Sequence, residues 1–277
     1  MGLLPEDRCI EEAKMHRKPF IGIPALYAFP DLIHGFTTRF GGVSTGDYAT
    51  LNLNFNRPDP QINVKKNYDI LSNELGVPLS DMVLSHQVHD KKILKVKKEH
   101  SGMGIVRERS YDSIDGLVTQ KTGLMLVTYY ADCVPIYFYD PVKKVIGLSH
   151  SGWRGTLIDI GGETLRVMKE SYNCFPEDVF ISFGPHIKTC CFEVDDDVAY
   201  AFKSEFTWAQ EYITKREDKW IIDLEGIITR NLIIQGVSEE KISGCQVCTK
   251  CNSDVFFSHR GSQNQTGTGA AFLMIRG

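Results

Sequence analysis

The sequence predicts one large domain that combines β-strands with α-helices. Its 277 residues contain no linker rich in proline, glycine or serine that would divide them. Residues 134–139 and 144–148 are rich in β-branched and aromatic side chains and flank an Asp-Pro turn, which predicts a β-hairpin. Residues 62–75 carry apolar side chains at helical spacing, which predicts an amphipathic helix. We therefore expect a single domain over residues 1–277, with residues 1–18 as a peripheral N-terminal extension.

The remaining elements follow from local patterns. The helix over 62–75 is expected to end at Gly76 and Pro78. Strands are expected within residues 33–44, ahead of a glycine turn, and at 82–88, 94–98 and 124–130. A further helix is expected over 157–172, with Thr156 as its N-cap and Asp159 completing a variant of the capping box.

Composition excludes several classes of protein. The chain has 42% hydrophobic and 24% charged residues and a net charge of −4, which is typical of a globular protein and argues against binding to nucleic acid. The N-terminus has acids where a secretory signal carries bases, and no apolar run approaches the length that spans a membrane. We therefore expect a cytoplasmic protein with no membrane partner, either a monomer or a homodimer, whose eight cysteines are thiols or metal ligands.

The predicted hairpin carries two soft metal ligands. Cys133 and His150 are equidistant from the midpoint between Pro141 and Val142, so a hairpin with its turn at that point places them opposite each other. Opposed residues on antiparallel strands are about 4.5–5.5 Å apart at Cβ, a spacing from which a thiolate and an imidazole can reach one ion. Pro135 lacks an amide donor, so a bulge there would shift the pairing by one residue.

A third ligand is needed for a mononuclear metal site. His86 and His89 are the candidates, and in a regular strand they would lie on opposite faces. Residue spacing does not choose between them. After the hairpin, the glycine-bearing loop at 149–156 opens a helix, where backbone amides and Arg154 are expected to attract a phosphate.

Six motifs, in order along nearly the whole chain, resemble the laccase-domain purine nucleoside phosphorylases, which were earlier named multicopper polyphenol oxidases. The motifs are His34-Gly-Phe-Thr-Thr-Arg-Phe-Gly-Gly-Val-Ser44, Gln87-Val-His89, Asp115-Gly-Leu-Val-Thr119, Ala131-Asp-Cys-Val-Pro-Ile136, His150-Ser-Gly-Trp-Arg-Gly155 and Cys190-Cys-Phe-Glu-Val194.

The resemblance implies an α+β fold in which mixed β-sheets pack face to face as a sandwich with flanking helices. It implies one zinc ion held by His89, Cys133 and His150. It also implies phosphorolysis of adenosine, inosine, guanosine and methylthioadenosine, together with hydrolytic deamination of adenosine. The chain departs from the family pattern at Thr268, where relatives commonly have an arginine after Thr-Gly.

Other polar residues are candidates for catalysis or substrate binding. Asp132 is expected to orient a ligand or move a proton, because it adjoins Cys133. Arg154 and Arg39 are expected to hold phosphate against C1′ of the ribose and to stabilise charge as the glycosidic bond breaks. Asn52 resembles the family's Asn-Leu motif and is a candidate for substrate binding, although an Asx turn explains it equally well.

Alternative functions remain open at this point. Copper-dependent oxidation of polyphenols, with Cu²⁺ in place of Zn²⁺, suits two histidines and a cysteine, but multicopper chemistry needs many more histidines than the eight present. An editing hydrolase for peptidoglycan precursors and a non-enzymatic metal-binding module are further alternatives.

Two groups of cysteines are not absorbed by these hypotheses. Cys245, Cys248 and Cys251 form a Cys-x2-Cys-x2-Cys run that resembles part of a zinc or iron–sulfur motif but lacks a nearby fourth cysteine. Cys190 and Cys191 are expected to pack in the core as reduced thiols, because adjacent cysteines form a disulfide only with strain.

Overall fold

Three β-sheets and six α-helices make up the computed structural model, which describes residues 5–262 and 265–277. The helices are α1 (Pro5–His16), α2 (Gln61–Leu75), α3 (Trp153–Leu157), α4 (Ile160–Tyr172), α5 (Asp196–Glu205) and α6 (Leu224–Ile234). The strands are β1 (Phe20–Ile21), β2 (Leu32–Thr37), β3 (Met82–Leu84), β4 (Ile93–Lys95), β5 (Gly116–Thr119), β6 (Met125–Tyr130), β7 (Val134–Asp140), β8 (Val145–Ser151), β9 (Phe180–Phe183), β10 (Glu193–Val194), β11 (Ile213–Arg216), β12 (Lys219–Ile222), β13 (Ile242–Ser243) and β14 (Gly269–Ile275). Short 3₁₀ turns lie between several of these elements.

Two mixed sheets pack face to face and form the sandwich that was expected. One has the strand order β1-β2-β14-β6-β3 and the other β13-β9-β7-β8-β5-β4. Strand β8 of the second sheet contacts β6 and β14 of the first. Strands β7 and β8 are buried along their whole length, as expected for central strands that are covered on both faces. The small sheet β10-β12-β11 is separate.

Helices cover the outer faces of both large sheets. Helix α4 packs on β8 and β5, and α6 packs on α4. Helix α2 forms a second hydrophobic cluster through Val64, Tyr68 and Leu71, against residues of β3, β6 and β14. This helix lies where the apolar spacing predicted it, and it ends at Gly76, which adopts a left-handed conformation with φ 63°. The fold class is therefore α+β, as predicted.

The predicted N-terminal extension contains helix α1. Residues 1–4 lie outside the described residues. The helix buries Ile10 and Ala13 against the main hydrophobic cluster. Lys14 of the same helix forms an ion pair with Asp254 at 2.8 Å. One face of the extension therefore contributes to the core.

The hairpin of β7 and β8 has a different register from the one predicted. Asp140 pairs with Val145, so four residues form the turn and His150 lies opposite Pro135 rather than Cys133. The Asp140 carboxylate accepts the amides of the next turn residues, 142 and 143, and Lys144 adopts a left-handed conformation with φ 52°, which lengthens the turn. The pairing is continuous past Pro135 without a bulge.

The helix expected over 157–172 is two helices. Asp159 has φ 56° and separates α3 from α4, and its carboxylate accepts the amide of Gly162 as the N-cap of α4. Thr156 is not the N-cap. It lies inside α3, where its hydroxyl donates to the carbonyl of Gly152. The competing signal is Asp159 itself, which is a stronger N-cap residue than threonine.

Candidate metal centre and the adjoining cavity

His89, Cys133 and His150 come together from three separate segments of the chain. One ligand atom from each lies within 4.8 Å of the other two. His150 is near the end of β8, Cys133 immediately precedes β7, and His89 lies in the loop between β3 and β4. The two imidazole rings meet edge to face, with 4.8 Å between their centroids. The structure thus brings together the three residues that the resemblance implied.

The observed register makes room for these side chains. Continuing the β7–β8 pairing by one residue places Gly152 opposite Cys133. The register is shifted by two residues from the predicted one, and a shift of two leaves side chains on the same face of the sheet. A Cβ atom at Gly152 would lie 2.9 Å from His89 Nδ1 and 3.0 Å from Cys133 Sγ. Glycine at this position therefore leaves the space that the two ligands occupy.

Asp115 is the carboxylate that orients two of the ligands. It is fully buried and precedes β5. Its Oδ1 accepts a hydrogen bond from the ring of His150 at 2.9 Å and from the amide of His89 at 3.0 Å. Its Oδ2 accepts the amides of Val88 and Asp90. Because Nδ1 of His150 donates to Asp115, the Nε2 atom is the nitrogen left to face Cys133 and a metal.

His89 adopts a left-handed backbone conformation with φ 64°, which costs a non-glycine residue about 1 kcal/mol or more. The hydrogen bonds from the loop amides to Asp115 maintain it. Burial lowers the pKa of His89, and the neighbouring His150 lowers it further. The ring is therefore neutral near pH 7, which is the form that binds a metal.

His150 and its neighbours form a coupled set of charges. Burial opposes protonation of His150, but the thiolate of Cys133 and the carboxylate of Asp115 outweigh burial and raise its pKa to about 9. Burial favours the neutral form of Asp115, but the hydrogen bond from His150 outweighs it and lowers the pKa of that carboxyl. A metal cation at this position would take the place of the proton on His150 and satisfy both anions.

The donor set fits one zinc ion. Two imidazoles and one thiolate are ligands that zinc accepts in a catalytic site, where three protein ligands leave one position open. The carboxylate of Asp115 behind His150 is the usual partner of a histidine that binds zinc. The same two-histidine, one-cysteine set also suits copper, so the donors alone leave the metal's identity open.

A cavity of about 650 Å³ opens beside these ligands. Its size lies within the range of sites for small molecules. All three ligands line it. The rest of the wall comes from the loop before α2 and the start of that helix, from the segment after β3 and from residues 104–109. The end of β6 and the residue before β14 complete it. These lining residues are Asn54, Phe55, Asn56, Arg57, Gln61, Lys65, Ser85, His86, Gln87, Gly104, Ile105, Val106, Arg107, Glu108, Arg109, Tyr129, Ala131 and Thr268.

The cavity wall is rich in positive charge. Arg57, Lys65, Arg107 and Arg109 line it against a single acid, Glu108. The half-buried Arg57 donates from Nε to the hydroxyl of Thr268 at 3.1 Å. No ion pair among the described residues involves Arg57, Lys65 or Arg109. These cations are therefore available for an anionic ligand.

Hydrogen bonds to the backbone fix the orientations of two cavity side chains, His86 and Gln87. Nδ1 of His86 accepts the amide of Ser113 at 3.1 Å, which leaves Nε2 as the N–H donor of the ring. Gln87 exchanges hydrogen bonds with the backbone of Tyr129 on both sides of its amide group. His86 lines the cavity but does not belong to the group of three ligands.

Asp132 and Asn52 lie outside the cavity lining. The carboxylate of Asp132 accepts the hydroxyl of Thr249 at 2.6 Å and the amide of Arg260 at 2.9 Å. Asn52 is fully buried and accepts the amide of Thr268 at 3.0 Å. The contacts of both residues are with the protein rather than with the cavity.

Arg39 and Arg154 also lie outside the lining. The guanidinium of Arg39 donates to the carbonyls of Ala49 and Ser253 at 3.0 and 2.8 Å. Arg154 is exposed in α3, with its guanidinium 4.3 Å from the ring centroid of Trp153. Helix α3 has only five residues, so its N-terminus is a weaker anion site than the sequence pattern indicated.

Sequence reasoning did not single out Asp115, Gly152, Arg57 or Arg109 for a role. Asp115 and Gly152 occur within motifs that were recognised, so a family motif was the available signal for them. Arg57 lies in an ordinary polar loop, and Arg109 follows a glycine-bearing turn. Nothing in the spacing of either arginine points to the cavity.

The fold and the site define a class of protein: an α+β sandwich in which a His-Cys-His group of potential metal ligands lines a cationic cavity. Residues 33–276 match the family described as multi-copper polyphenol oxidoreductase laccase, and the chain belongs to this family. Within the described residues, no helix has the length and apolar character needed to cross a membrane.

The chain is similar in sequence and in structure to several known proteins. Purine nucleoside phosphorylase YlmD of Bacillus subtilis is 33% identical over 89% of both chains. The mouse protein named purine nucleoside phosphorylase LACC1 is 32% identical over 89% of this chain and 56% of its own length. The crystal structure of YlmD from Geobacillus stearothermophilus superposes with a TM-score of 0.87 at 32% identity, covering 94% of this chain and 97% of that one. The hypothetical protein YfiH of Bacillus licheniformis gives a TM-score of 0.88 at 29% identity, with the same coverage.

Proposed function

We propose that this protein is a cytoplasmic zinc-dependent purine nucleoside phosphorylase that also deaminates adenosine. The proposed substrates are adenosine, inosine, guanosine and methylthioadenosine, with phosphate as the second substrate. Relatives of similar length carry the name purine nucleoside phosphorylase. The observation that carries the proposal is that one cavity contains both the His89–Cys133–His150 group and cationic side chains that have no ion-pair partner among the described residues.

His89, Cys133 and His150 would hold the zinc ion. When bound through three protein ligands, zinc supplies Lewis-acid chemistry at its remaining coordination position. The residues around it have separate tasks. Asp115 keeps Nε2 of His150 directed toward the centre. Gly152 leaves the space in which the ligand side chains approach each other.

Phosphate binding requires cations that face the substrate. Phosphorolysis forms a bond between a phosphate oxygen and C1′ of the ribose while the bond from C1′ to the purine breaks. Arg57 and Arg109 line the cavity and suit bidentate contacts with phosphate, whereas Arg154 and Arg39, predicted from sequence, face elsewhere. We assign the main phosphate contact to Arg57. Thr268 replaces the arginine expected after Thr-Gly, and the guanidinium of Arg57 contacts its hydroxyl.

The purine has aromatic and proton-donating neighbours. Phe55 lines the cavity and stacks on Tyr68, with 5.6 Å between the ring centroids and 8° between the planes, which holds it rigid. Such a ring suits contact with a purine. Nε2 of His86, which lines the cavity, can donate a hydrogen bond to the purine.

The predicted roles of Arg39, Asn52 and Asp132 become positioning roles in this proposal. Asn52 accepts a hydrogen bond from the amide of Thr268, whose hydroxyl contacts Arg57. Asp132 immediately precedes Cys133, and its carboxylate accepts a hydrogen bond from Thr249, so it connects the Cys133 segment to the loop that carries Thr249. Arg39 joins its own loop to that same region through the carbonyl of Ser253. Arg154 lies outside the cavity lining, so its predicted contact with phosphate is not part of this proposal, although its charge lowers the pKa of His89 after burial and His150.

The test is an assay of the zinc-loaded protein with inosine and adenosine, with and without phosphate, in which free base and inosine are separated by chromatography. Phosphate-dependent release of hypoxanthine from inosine is the expected result. Conversion of adenosine to inosine without phosphate measures the deaminase activity separately. Cys133→Ala should abolish both activities. Cys174→Ala is the matched control, because Cys174 is a cysteine outside the His89–Cys133–His150 group.

Copper-dependent oxidation of polyphenols is the second candidate, favoured by the donor set and by the description of the family. Among the described residues, one group of potential metal ligands contains histidine. A multicopper oxidase needs several copper sites rich in histidine, so the structure favours the phosphorylase. Oxidation of a phenol by the copper-loaded protein, with no turnover of any nucleoside by the zinc-loaded protein, would reverse this assignment. No feature of the cavity favours an editing hydrolase for peptidoglycan precursors.

A further inference from the structure

Four cysteines from two loops form a second cluster outside the proposed active site. They are Cys190, Cys191, Cys248 and Cys251, and their sulfur atoms all lie within 4.8 Å of one another. Two of them were expected in the core, but Cys190 is exposed and Cys191 is partly exposed. The Cys-x2-Cys-x2-Cys run lacked a fourth ligand in sequence. In the fold, Cys245 is not part of the cluster, and the two adjacent cysteines from the other loop complete it.

The sulfur spacing is that of ligands around one ion. The Sγ atoms of Cys190 and Cys191 lie 3.6 and 3.4 Å from Sγ of Cys251. A disulfide would place two sulfurs about 2.05 Å apart. In a tetrahedral zinc site, a zinc–sulfur distance of about 2.3 Å separates the sulfurs by about 3.8 Å. The cluster is thus close to tetrahedral zinc geometry and far from that of a disulfide.

The backbone holds the two loops in place independently of the sulfurs. The amide of His186 donates to the carbonyl of Val247, and the amide of Thr249 donates to the carbonyl of His186. Within the second loop, the amide of Asn252 donates to the carbonyl of Cys248. These contacts bring Cys248 and Cys251 beside the turn that carries the adjacent cysteine pair. The cluster therefore results from an ordered arrangement of two loops.

The sulfur of Cys248 accepts hydrogen bonds from the backbone amides of Cys251 and Lys188. Amide donors of this kind orient and stabilise a sulfur ligand. A ligand set of four thiolates favours a soft or borderline metal such as zinc over a hard cation.

We propose that Cys190, Cys191, Cys248 and Cys251 bind one structural zinc ion, separate from the His-Cys-His centre. Four protein ligands close the coordination shell, so this ion has no open position for a substrate. A cluster of several irons would require the thiolates to bind different iron atoms, whereas these four sulfurs are close enough to share one ion.

The ion would have a structural task in the loop that carries Cys248 and Cys251. Thr249 of this loop donates to the carboxylate of Asp132, the residue before Cys133. The carbonyls of Ser253 and Val255 accept hydrogen bonds from the side chain and the amide of Arg39. Zinc that joins the two cysteine pairs would therefore fix a loop that supports Asp132 and Arg39.

The test is the zinc content of the full-length protein, expressed with zinc and purified without metal chelators, for wild type and three variants. Wild type should hold two zinc ions per chain, one for each group of ligands. Cys251→Ser should hold one and keep the proposed His-Cys-His site. His89→Ala should also hold one, and when that variant is loaded with cobalt it should show the intense charge-transfer absorption of a cobalt ion bound by four thiolates. Cys174→Ser, which changes a buried cysteine outside both groups, should still hold two.

Other outcomes overturn the proposal. One zinc per chain in wild type, lost completely in His89→Ala, would show that the four cysteines bind no zinc. A disulfide among the four in protein purified anaerobically, or iron with labile sulfide, would assign them to redox chemistry or to an iron–sulfur cluster. If Cys251→Ser does not fold, Cys190→Ser is used instead, because Cys190 is also an exposed ligand. The cobalt spectrum of His89→Ala decides in either case. Zinc content does not depend on nucleoside turnover, so this test is independent of the proposed enzymatic activity.

Discussion

The substitution Asp115→Asn tests how the metal centre is held together. Asp115 accepts hydrogen bonds from the ring of His150 and from the amides of His89, Val88 and Asp90, at 2.9 to 3.1 Å. Each carboxylate oxygen serves two of these donors. An asparagine retains only one oxygen, so whichever way its amide group is turned, two donors face an NH₂ group.

The expected losses follow from that count. Leaving two buried donors without an acceptor costs about 1–3 kcal/mol each, so the free energy of unfolding of the metal-free protein should fall by about 2–6 kcal/mol. Removing the carboxylate partner of a metal-binding histidine typically lowers metal affinity by about 10–100-fold. The same range is expected here, because His150 loses either its hydrogen-bond acceptor or its negatively charged partner.

The assay is a zinc titration in competition with a chromophoric chelator, together with urea unfolding of the metal-free protein. Asp140→Asn is the matched control. Asp140 is equally buried and lies beside the turn of the β7–β8 hairpin, at the end away from His150. Its Oδ1 accepts the amides of Val142 and Lys143, which an asparagine oxygen can also accept. Its zinc affinity should equal that of wild type. Normal zinc affinity in Asp115→Asn, with stability reduced, would show that Asp115 supports the loop and not the metal.

Three further predictions concern packing, titration and phosphate. Gly152→Ala should weaken zinc binding about tenfold or more, since relieving contacts of 2.9 and 3.0 Å to ligand atoms costs about 1–3 kcal/mol. Gly155→Ala is the control and should leave zinc binding unchanged, because its nearest contact would be 3.4 Å. Equal losses of zinc affinity in the two variants would refute this reasoning. Burial lowers the pKa of His34 to about 4, so between pH 7 and pH 5 the unfolded chain takes up a proton that folded His34 does not, and wild type should lose about 2 kcal/mol of stability from this group. Urea unfolding of His34→Gln should show a loss smaller by that amount, and an unchanged loss would contradict the burial argument. Arg57→Gln should raise the KM for phosphate about 10–100-fold through the loss of a charge-assisted hydrogen bond, with a smaller change in Arg154→Gln; the opposite order would move the phosphate to Arg154.

Elements with a strong local signal were predictable from sequence. Helix α2 needs only its own apolar spacing and the glycine that ends it, so its position was predicted within one residue. The hairpin was predicted in kind but not in register, because the turn depends on side-chain contacts of Asp140 and on the left-handed Lys144. The division between α3 and α4 likewise depends on the backbone conformation of one residue, Asp159.

The site divides in a similar way. Residue types and family motifs pointed to His89, Cys133 and His150, whose ligand atoms the fold brings within 4.8 Å of one another. The carboxylate that contacts the ligands was expected at position 132, next to a ligand in sequence, but it is Asp115, next to two ligands in space. Sequence adjacency alternates side chains between the faces of a strand, so the neighbour of a ligand commonly points away from it.

The sequence by itself determined the local facts: which segments alternate or follow helical spacing, where glycine ends a helix, and which side chains can bind a soft metal. Tertiary structure decided which distant segments meet. The loop before α2 contributes Arg57 to the cavity, and two loops about 60 residues apart combine four cysteines into one cluster. The physical reason is that periodicity records the face on which a residue lies, whereas the meeting of distant faces depends on the packing of whole sheets and on hydrogen bonds between remote segments.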